Sequence, residues 1–161
     1  MPDVAYEFVA AAHAFRAALI ADAVEDESFA REVRNAVARV YLAAALLGPP
    51  TTTEGEGPPD RQRGDYHAVR KRLETRFGAN DVFVEVFDPS RVVDENTRPY
   101  ERSLSSELAE IDEDLAEAIA WLQEDRADAL WDVRWAFENH WGQHALACLR
   151  PLHQLATYSV V

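Results

Sequence analysis

The sequence predicts an all-α protein: a five-helix, mostly antiparallel bundle with its C-terminal helix at the centre. Three observations carry this. Four segments repeat apolar residues at helical spacing between plausible caps and stops. A fifth, Ala127 to Leu155, is apolar around most of its circumference, the pattern of a helix packed on several sides. It also holds Trp131, Trp135 and Trp141, three of the four tryptophans. Between the helical segments only one run, around residues 82–87, alternates valines with other residues, which fits a short extended segment.

The first helix is expected from Val4 to Ala23, with Asp3 as its N-cap. Phe8, Ala12, Phe15 and Leu19 share one face, and Tyr6, Val9, His13 and Ile20 make a second apolar stripe opposite. The second helix runs from Ser28 to Leu47 on a core face of Phe29, Val33, Val37, Val40 and Ala44. Gly48 is placed to end it and Pro49-Pro50 forbid its continuation. Residues 49–64, rich in Pro, Gly and Thr, read as a mobile loop. Asp65 caps a third helix, Tyr66 to Phe77, stopped by Gly78. This is the one locally basic stretch, with Arg61, Arg63, Arg70, Lys71, Arg72 and Arg76. Residues 88–102 read as a polar loop. Ser103 then caps a fourth helix, Leu104 to Gln123, whose stripe of Leu104, Leu108, Ile111, Leu115 and Leu122 runs beside Glu107, Glu110 and Asp114.

On a wheel of about 100° per residue, Leu130, Val133, Phe137, Trp141, Ala145 and Cys148 share one face of the last helix. Trp131, Trp135 and Leu146 extend the apolar surface, leaving a narrow wet stripe that includes Asp132 and Gln143. Gly142 costs roughly 1 kcal/mol of helix stability against alanine, so close packing is its expected use. Pro151 predicts a kink or break near Leu149. Arg134, Glu138 and His144 fall inside the apolar arc and His140 at its edge. Groups so placed must be paired or hydrogen-bonded, because burying them alone is costly. The expected buried polar network is therefore Arg134, Glu138, Glu107, Asp114, His140 and His144, with Arg134 bridging Glu138 to the fourth helix. On that reading Arg134→Met costs on the order of 3 kcal/mol.

Two further sets have metal-ligand chemistry. His140, His144 and Cys148 form a ladder of nitrogen and sulfur donors four residues apart; zinc requires a third or fourth ligand in tetrahedral array. Glu107, Glu110 and Asp114 offer oxygens of the kind Mg²⁺ prefers. Glu107-Leu-Ala-Glu110 superficially resembles half of the paired-acid motif of helical nucleotide pyrophosphohydrolases, but the second half is absent. No Gly-rich phosphate loop or nucleophile elbow is present. The expectation is that the chain holds no metal and no cofactor.

At 161 residues one helical domain spanning 1–161 is expected, long enough to bury a core. The net charge of -13 argues against nucleic acid, whose binders present basic surfaces, and against anionic membranes. No apolar run spans a bilayer and no export signal is evident. A single cysteine, Cys148, fits a reducing compartment. These features predict a cytoplasmic protein, and the alanine-rich, lysine-poor composition suggests a bacterial one.

From Asn80 to His153 the chain resembles a known family. The residues that carry the likeness are Val86-Phe87-Asp88-Pro89, Ser103-Leu104 with the acidic helix behind it, then Trp131, Arg134, Phe137, His140-Trp141-Gly142, His144-Ala145 and Leu149 through Leu152-His153. They resemble the uncharacterised bacterial family catalogued as domain of unknown function 5063. Val133 stands where a second aromatic is expected, and Asp112-Glu113 where a tyrosine and a basic residue are. The resemblance implies a helical, cytoplasmic, bacterial protein. It implies no reaction, so no catalytic residues carry over. The function expected is a non-enzymatic accessory or protein-interaction domain, with a protein partner or a homodimer through the first helix. The alternative is a divalent-metal-dependent hydrolase of a small phosphorylated substrate, using carboxylates of the fourth and fifth helices.

Overall fold

A computed structural model describes residues 3–22, 26–48, 64–86, 99–124 and 128–158. In chain order these form α1 (Asp3–Ile20), α2 (Asp26–Ala45), α3 (Tyr66–Phe77), a short 3₁₀ turn (Gly78–Asn80), β1 (Val82–Glu85), β2 (Tyr100–Ser103), α4 (Leu104–Gln123), α5 (Ala129–Ala136) and α6 (Gly142–Tyr158). A π-helical turn, Phe137–Trp141, joins α5 to α6. The two are one continuous helical run, so the fold is an all-α five-helix bundle carrying a two-stranded sheet. No helix among the described residues is long and apolar enough to cross a membrane.

Local chemistry accounts for the boundaries. Asp65 caps α3, accepting from the Ala68 N–H at 3.0 Å, and Gly78 ends it at φ 52°, a left-handed conformation that glycine adopts without penalty. Ser103 caps α4, accepting from the Ser106 N–H at 3.3 Å. The C-terminal end of α1 is held by arginines of α3. Arg72 donates to the Ile20 carbonyl at 2.6 Å; Arg76 lies over the Phe29 ring and donates to the Ala21 carbonyl. The basic stretch thus complements a helix terminus, where cations are favoured. Arg61 and Arg63 lie outside the described residues.

α1 packs on α2, α2 on α6, and α3 on α4, while α4 also meets α1, α5 and α6. Most of α4 is buried, including Ser105, Glu107, Asp112 and Glu117. The C-terminal run, expected at the centre, lies against both α2 and α4. Its core residues Val133, Trp141, Ala145, Cys148 and Leu152 are fully buried.

The expected extended segment is β1. β2 is a correction: residues 88–102 read as a loop, yet Tyr100–Ser103 pairs antiparallel with β1, Val82 opposite Ser103 and Glu85 opposite Tyr100. Pairing satisfies the backbone of two short segments that propensity alone leaves ambiguous. Residues 49–63 and 87–98, which hold the expected mobile loop and most of the polar one, lie outside the described residues.

The last helix departs from its wheel in three ways. The break expected near Leu149 does not occur, and α6 continues through Pro151. Fully buried Cys148 and Leu152 anchor the helix on either side of the proline. Trp135 and Leu146, expected in the apolar surface, are exposed, and Asp132, expected in water, is buried. The displaced exposed and buried faces follow from the π turn. Its i→i+5 bonds insert an extra residue into the spiral, so no single straight wheel describes both halves.

Candidate functional site

The polar side chains converge where the sheet meets the start of α4. Asp81, just before β1, is buried. Its carboxylate accepts from the Ser105 N–H and from the Ser105 hydroxyl, both at 2.7 Å. Its backbone carbonyl accepts from the Leu104 N–H at 2.8 Å. Together with Ser103 it satisfies the first donors of α4, which have no partner within the helix. Asp81→Ala is expected to cost about 1–2 kcal/mol, read as a lower urea midpoint with an unchanged slope.

Strand alternation puts Tyr100 and Arg102 on the same face of β2. Arg102 donates through Nε to Glu107 Oε1 at 2.8 Å and pairs through Nη2 with Glu107 Oε2, a two-pronged clamp that suits the planar guanidinium. Its Nη1 donates to Glu85 Oε2 at 2.5 Å. From α6, His144 Nδ1 lies 2.7 Å from Glu107 Oε2 and 3.2 Å from Arg102 Nη2. An ionised carboxylate only accepts, so Nδ1 carries a proton and donates to Glu107. Three elements are thereby tied together: β2 through Arg102, α4 through Glu107 and α6 through His144.

The electrostatics follow from this geometry. Burial pushes the Glu107 carboxyl upward, but the hydrogen bonds from His144 and Arg102 outweigh it and hold the group below its ordinary value. Burial likewise works against the charge on Arg102, and the bonds to Glu107 and Glu85 prevail, so its acidity is weakened further. Burial raises Tyr100 and raises the fully buried Cys148 thiol well above its usual value.

Other carboxylates of α4 have partners of their own. Asp114 Oδ2 is 2.6 Å from His140 Nδ1, and Asp112 accepts from Arg16 Nε of α1 at 2.8 Å. The His140 and His144 rings meet edge to face at 4.8 Å between centroids. Glu110 is half-buried.

Arg134 is not where the sequence reading put it. Its Nε donates to Glu138 Oε1 at 2.6 Å, and its Nη1 donates to the carbonyls of Ala44 and Ala45 at 3.0 and 3.1 Å. It therefore closes the C-terminal end of α2 and does not reach Glu107 or Asp114. Glu138 is exposed, so losing Arg134 strands no buried charge. Arg134→Met is therefore expected to cost about 1–2 kcal/mol, the scale of lost capping bonds, and not the larger penalty of a broken buried pair; chemical denaturation checks it.

The two metal-ligand sets are not assembled. His140 and His144 turn to different carboxylates, and Cys148 is sealed in the core. Among the described residues no three His, Cys, Asp or Glu side chains are grouped to hold an ion, and that includes Glu107, Glu110 and Asp114. Sequence reasoning missed Arg102, Glu85, Asp81 and the Arg16–Asp112 pair, all joined through contacts that only the folded chain creates. The one available signal was the alternation of Tyr100 and Arg102 with Glu101 and Ser103 ahead of a cap.

Two clefts flank the cluster. One, of about 570 Å³, opens over Tyr100, Arg102, Ser106 and Glu107. The other, of about 720 Å³, lies between β1 and α6.

The fold has a solved counterpart. Over 99% of this chain and 95% of the other, it superposes on the crystal structure of protein BF1032 from Bacteroides fragilis, a structural-genomics target, with a TM-score of 0.77 at 23% identity. That likeness extends to the fold alone. No curated protein matches the chain. The family model described as Domain of unknown function (DUF5063) matches residues 1–158, nearly the whole sequence and all of the cluster above, and so the chain belongs to that family.

Proposed function

We propose that this protein is a non-enzymatic accessory domain of the bacterial cytoplasm that works by binding other proteins. The observation that carries the reading is the state of the α4 carboxylates. Glu107 is neutralised by Arg102 and hydrogen-bonded to His144, Asp112 is paired with Arg16, and Asp114 is hydrogen-bonded to His140. A metal-dependent hydrolase needs such oxygens converging on an open cleft to hold its cation. Here they fix one helix against its neighbours, a role in which ionic networks specify arrangement more than they add stability. The exposed apolar side chains Tyr6, Ile20, Val84, Trp135 and Leu146 are the groups left for recognition. Single exposed apolar residues are ordinary, but Val84 and Leu146 line one cleft together with exposed Val82, and such clustering is what a partner surface requires.

A thermal-shift screen of the pure protein against Mg²⁺, Mn²⁺, Zn²⁺ and a nucleotide panel, with a chelator control, tests the choice. A ligand at about 100 times its dissociation constant adds roughly 2.7 kcal/mol, an upward move of about 5–10 °C for a chain of this size. The expected result is no shift. A rise of that size with Mg²⁺ or Mn²⁺, larger with a nucleotide, overturns the reading in favour of the hydrolase.

A further inference from the structure

We propose that the cleft between β1 and α6 is a strand-addition groove: it takes an extended peptide segment of a partner protein that carries an acidic side chain opposite Arg150. The proposal rests on the protein-binding reading above and names its surface and ligand.

Five consecutive residues of the strand side, 82–86, face the cleft, as do Leu146, Arg150, Pro151 and Gln154 of α6. Consecutive strand residues point to alternate faces, so a wall made of all of them is the strand's edge. The helix residues recur at the spacing of one helical face. One wall is therefore a strand edge and the other a helix face, the setting in which extended peptides add to a sheet.

Among the described residues the phase of the sheet leaves that edge unpaired. The bond from the Leu104 N–H to the Asp81 carbonyl, with Val82 opposite Ser103, puts Phe83 and Glu85 in the positions that bond to β2. In an antiparallel pair these alternate with positions whose N–H and C=O point away. Val82 and Val84 are those positions, and neither backbone makes a hydrogen bond outside the ladder among the described residues. Val82 and Val84 also expose their side chains, as does Leu146 across the cleft. Three or four residues of extended chain, at about 3.3 Å each, would match the length of β1.

Charge selects the ligand. Arg150 is exposed and has no ion-pair or hydrogen-bond partner among the described residues. Glu85, the other charged residue of the lining, is already bound to Arg102. In a chain of net charge -13, an acidic ligand is repelled over most of the surface and attracted at Arg150. That asymmetry gives the peptide one register, since complementary charge sets specificity more than affinity.

The test pans a display library of random linear octapeptides on the full chain, then measures the selected peptides by fluorescence polarisation. The expected winners alternate apolar residues around one Asp or Glu. Arg150→Glu should weaken them about tenfold or more, and exchanging the peptide's acid for lysine should restore binding to that variant. Val84→Pro deletes an outward N–H on an edge strand, where proline is tolerated. It should abolish binding with the thermal midpoint unchanged, and N-methylation at alternate peptide residues should do the same. Winners that bind Arg150→Glu and Val84→Pro as tightly as the wild type overturn the groove while leaving the protein-binding reading in place. Failure to select any peptide overturns the groove as well. Only a metal or nucleotide shift in the screen above overturns the protein-binding reading itself.

Discussion

Glu107→Gln will lower the stability of this protein by about 3 kcal/mol, the low end of the range found when one partner is removed from a buried ion pair. In a chain of this size that corresponds to a thermal midpoint lower by about 10 °C. Glutamine keeps the shape and removes the charge. Arg102 then keeps Glu85 as its carboxylate partner, and the single carbonyl oxygen of glutamine replaces two carboxylate oxygens that accept from Arg102 Nε, Arg102 Nη2 and His144 Nδ1. The same variant has a pH signature. Glu107 is held below its ordinary value in the folded state. A depressed carboxyl contributes stability that is fully present above the unfolded-state value of about 4.3. That contribution is lost as the pH falls through the lower folded-state value. The wild type should therefore lose its advantage over Glu107→Gln on acidification, the two curves of stability against pH converging at the acid end. A variant with wild-type stability at neutral pH, or a constant gap between the curves, would show that the Arg102–Glu107–His144 cluster does not hold the sheet to the bundle.

How much of this was legible beforehand depends on the range of the interaction. The α3 and α4 boundaries were readable to the residue, because Asp65, Gly78 and Ser103 act on backbone within one turn of themselves. Arg102 was not, because the alternation around it spans only four residues and does not set it apart from other loop arginines. Its role exists only once β2 has paired with β1 and brought it beside Glu85 and Glu107. Glu107, His144, Asp114 and His140 were singled out for lying on or near apolar stripes. Their pairings, Glu107 with His144 and Asp114 with His140, depended on how α4 and the C-terminal run face each other, which a wheel does not contain. Arg134 was misassigned for the same reason. Its guanidinium reaches the carbonyls that end α2, a partner that becomes visible only after the α2 and C-terminal helices are packed.

The π turn did leave a trace in the sequence, and it leads to a prediction whose sign is contrary to helix propensity. Buried Ala129, Val133, Phe137, Trp141 and Ala145 recur every four residues. At about 3.6 residues per turn such a series drifts about 40° per step, so a regular helix would carry its ends onto different faces. The wider turn at Phe137–Trp141 takes up that drift and keeps all five residues against the core. Gly142 is the residue that lets it close. Its N–H donates to the Phe137 carbonyl, and a Cβ at this position would fall well inside contact distance of that same oxygen and 3.2 Å from two carbons of the Phe137 ring. Propensity favours alanine over glycine in a helix by about 1 kcal/mol. Crowding in a packed site costs about 1–3 kcal/mol, more where backbone must move. The turn has no inexpensive escape. Relaxing it to regular α-helix would rotate everything beyond it by roughly one residue, about 100°, and carry fully buried Cys148 and Leu152 out of the core. Gly142→Ala is therefore expected to destabilise by a net of about 2 kcal/mol. The neighbouring exposed Gln143→Ala, which changes propensity without the contact, should be neutral or slightly stabilising. Paired urea denaturation of the two variants separates the effects. If Gly142→Ala proves as stable as Gln143→Ala, close approach is not what the glycine provides, and the π turn is a tolerated irregularity with no part in seating the core.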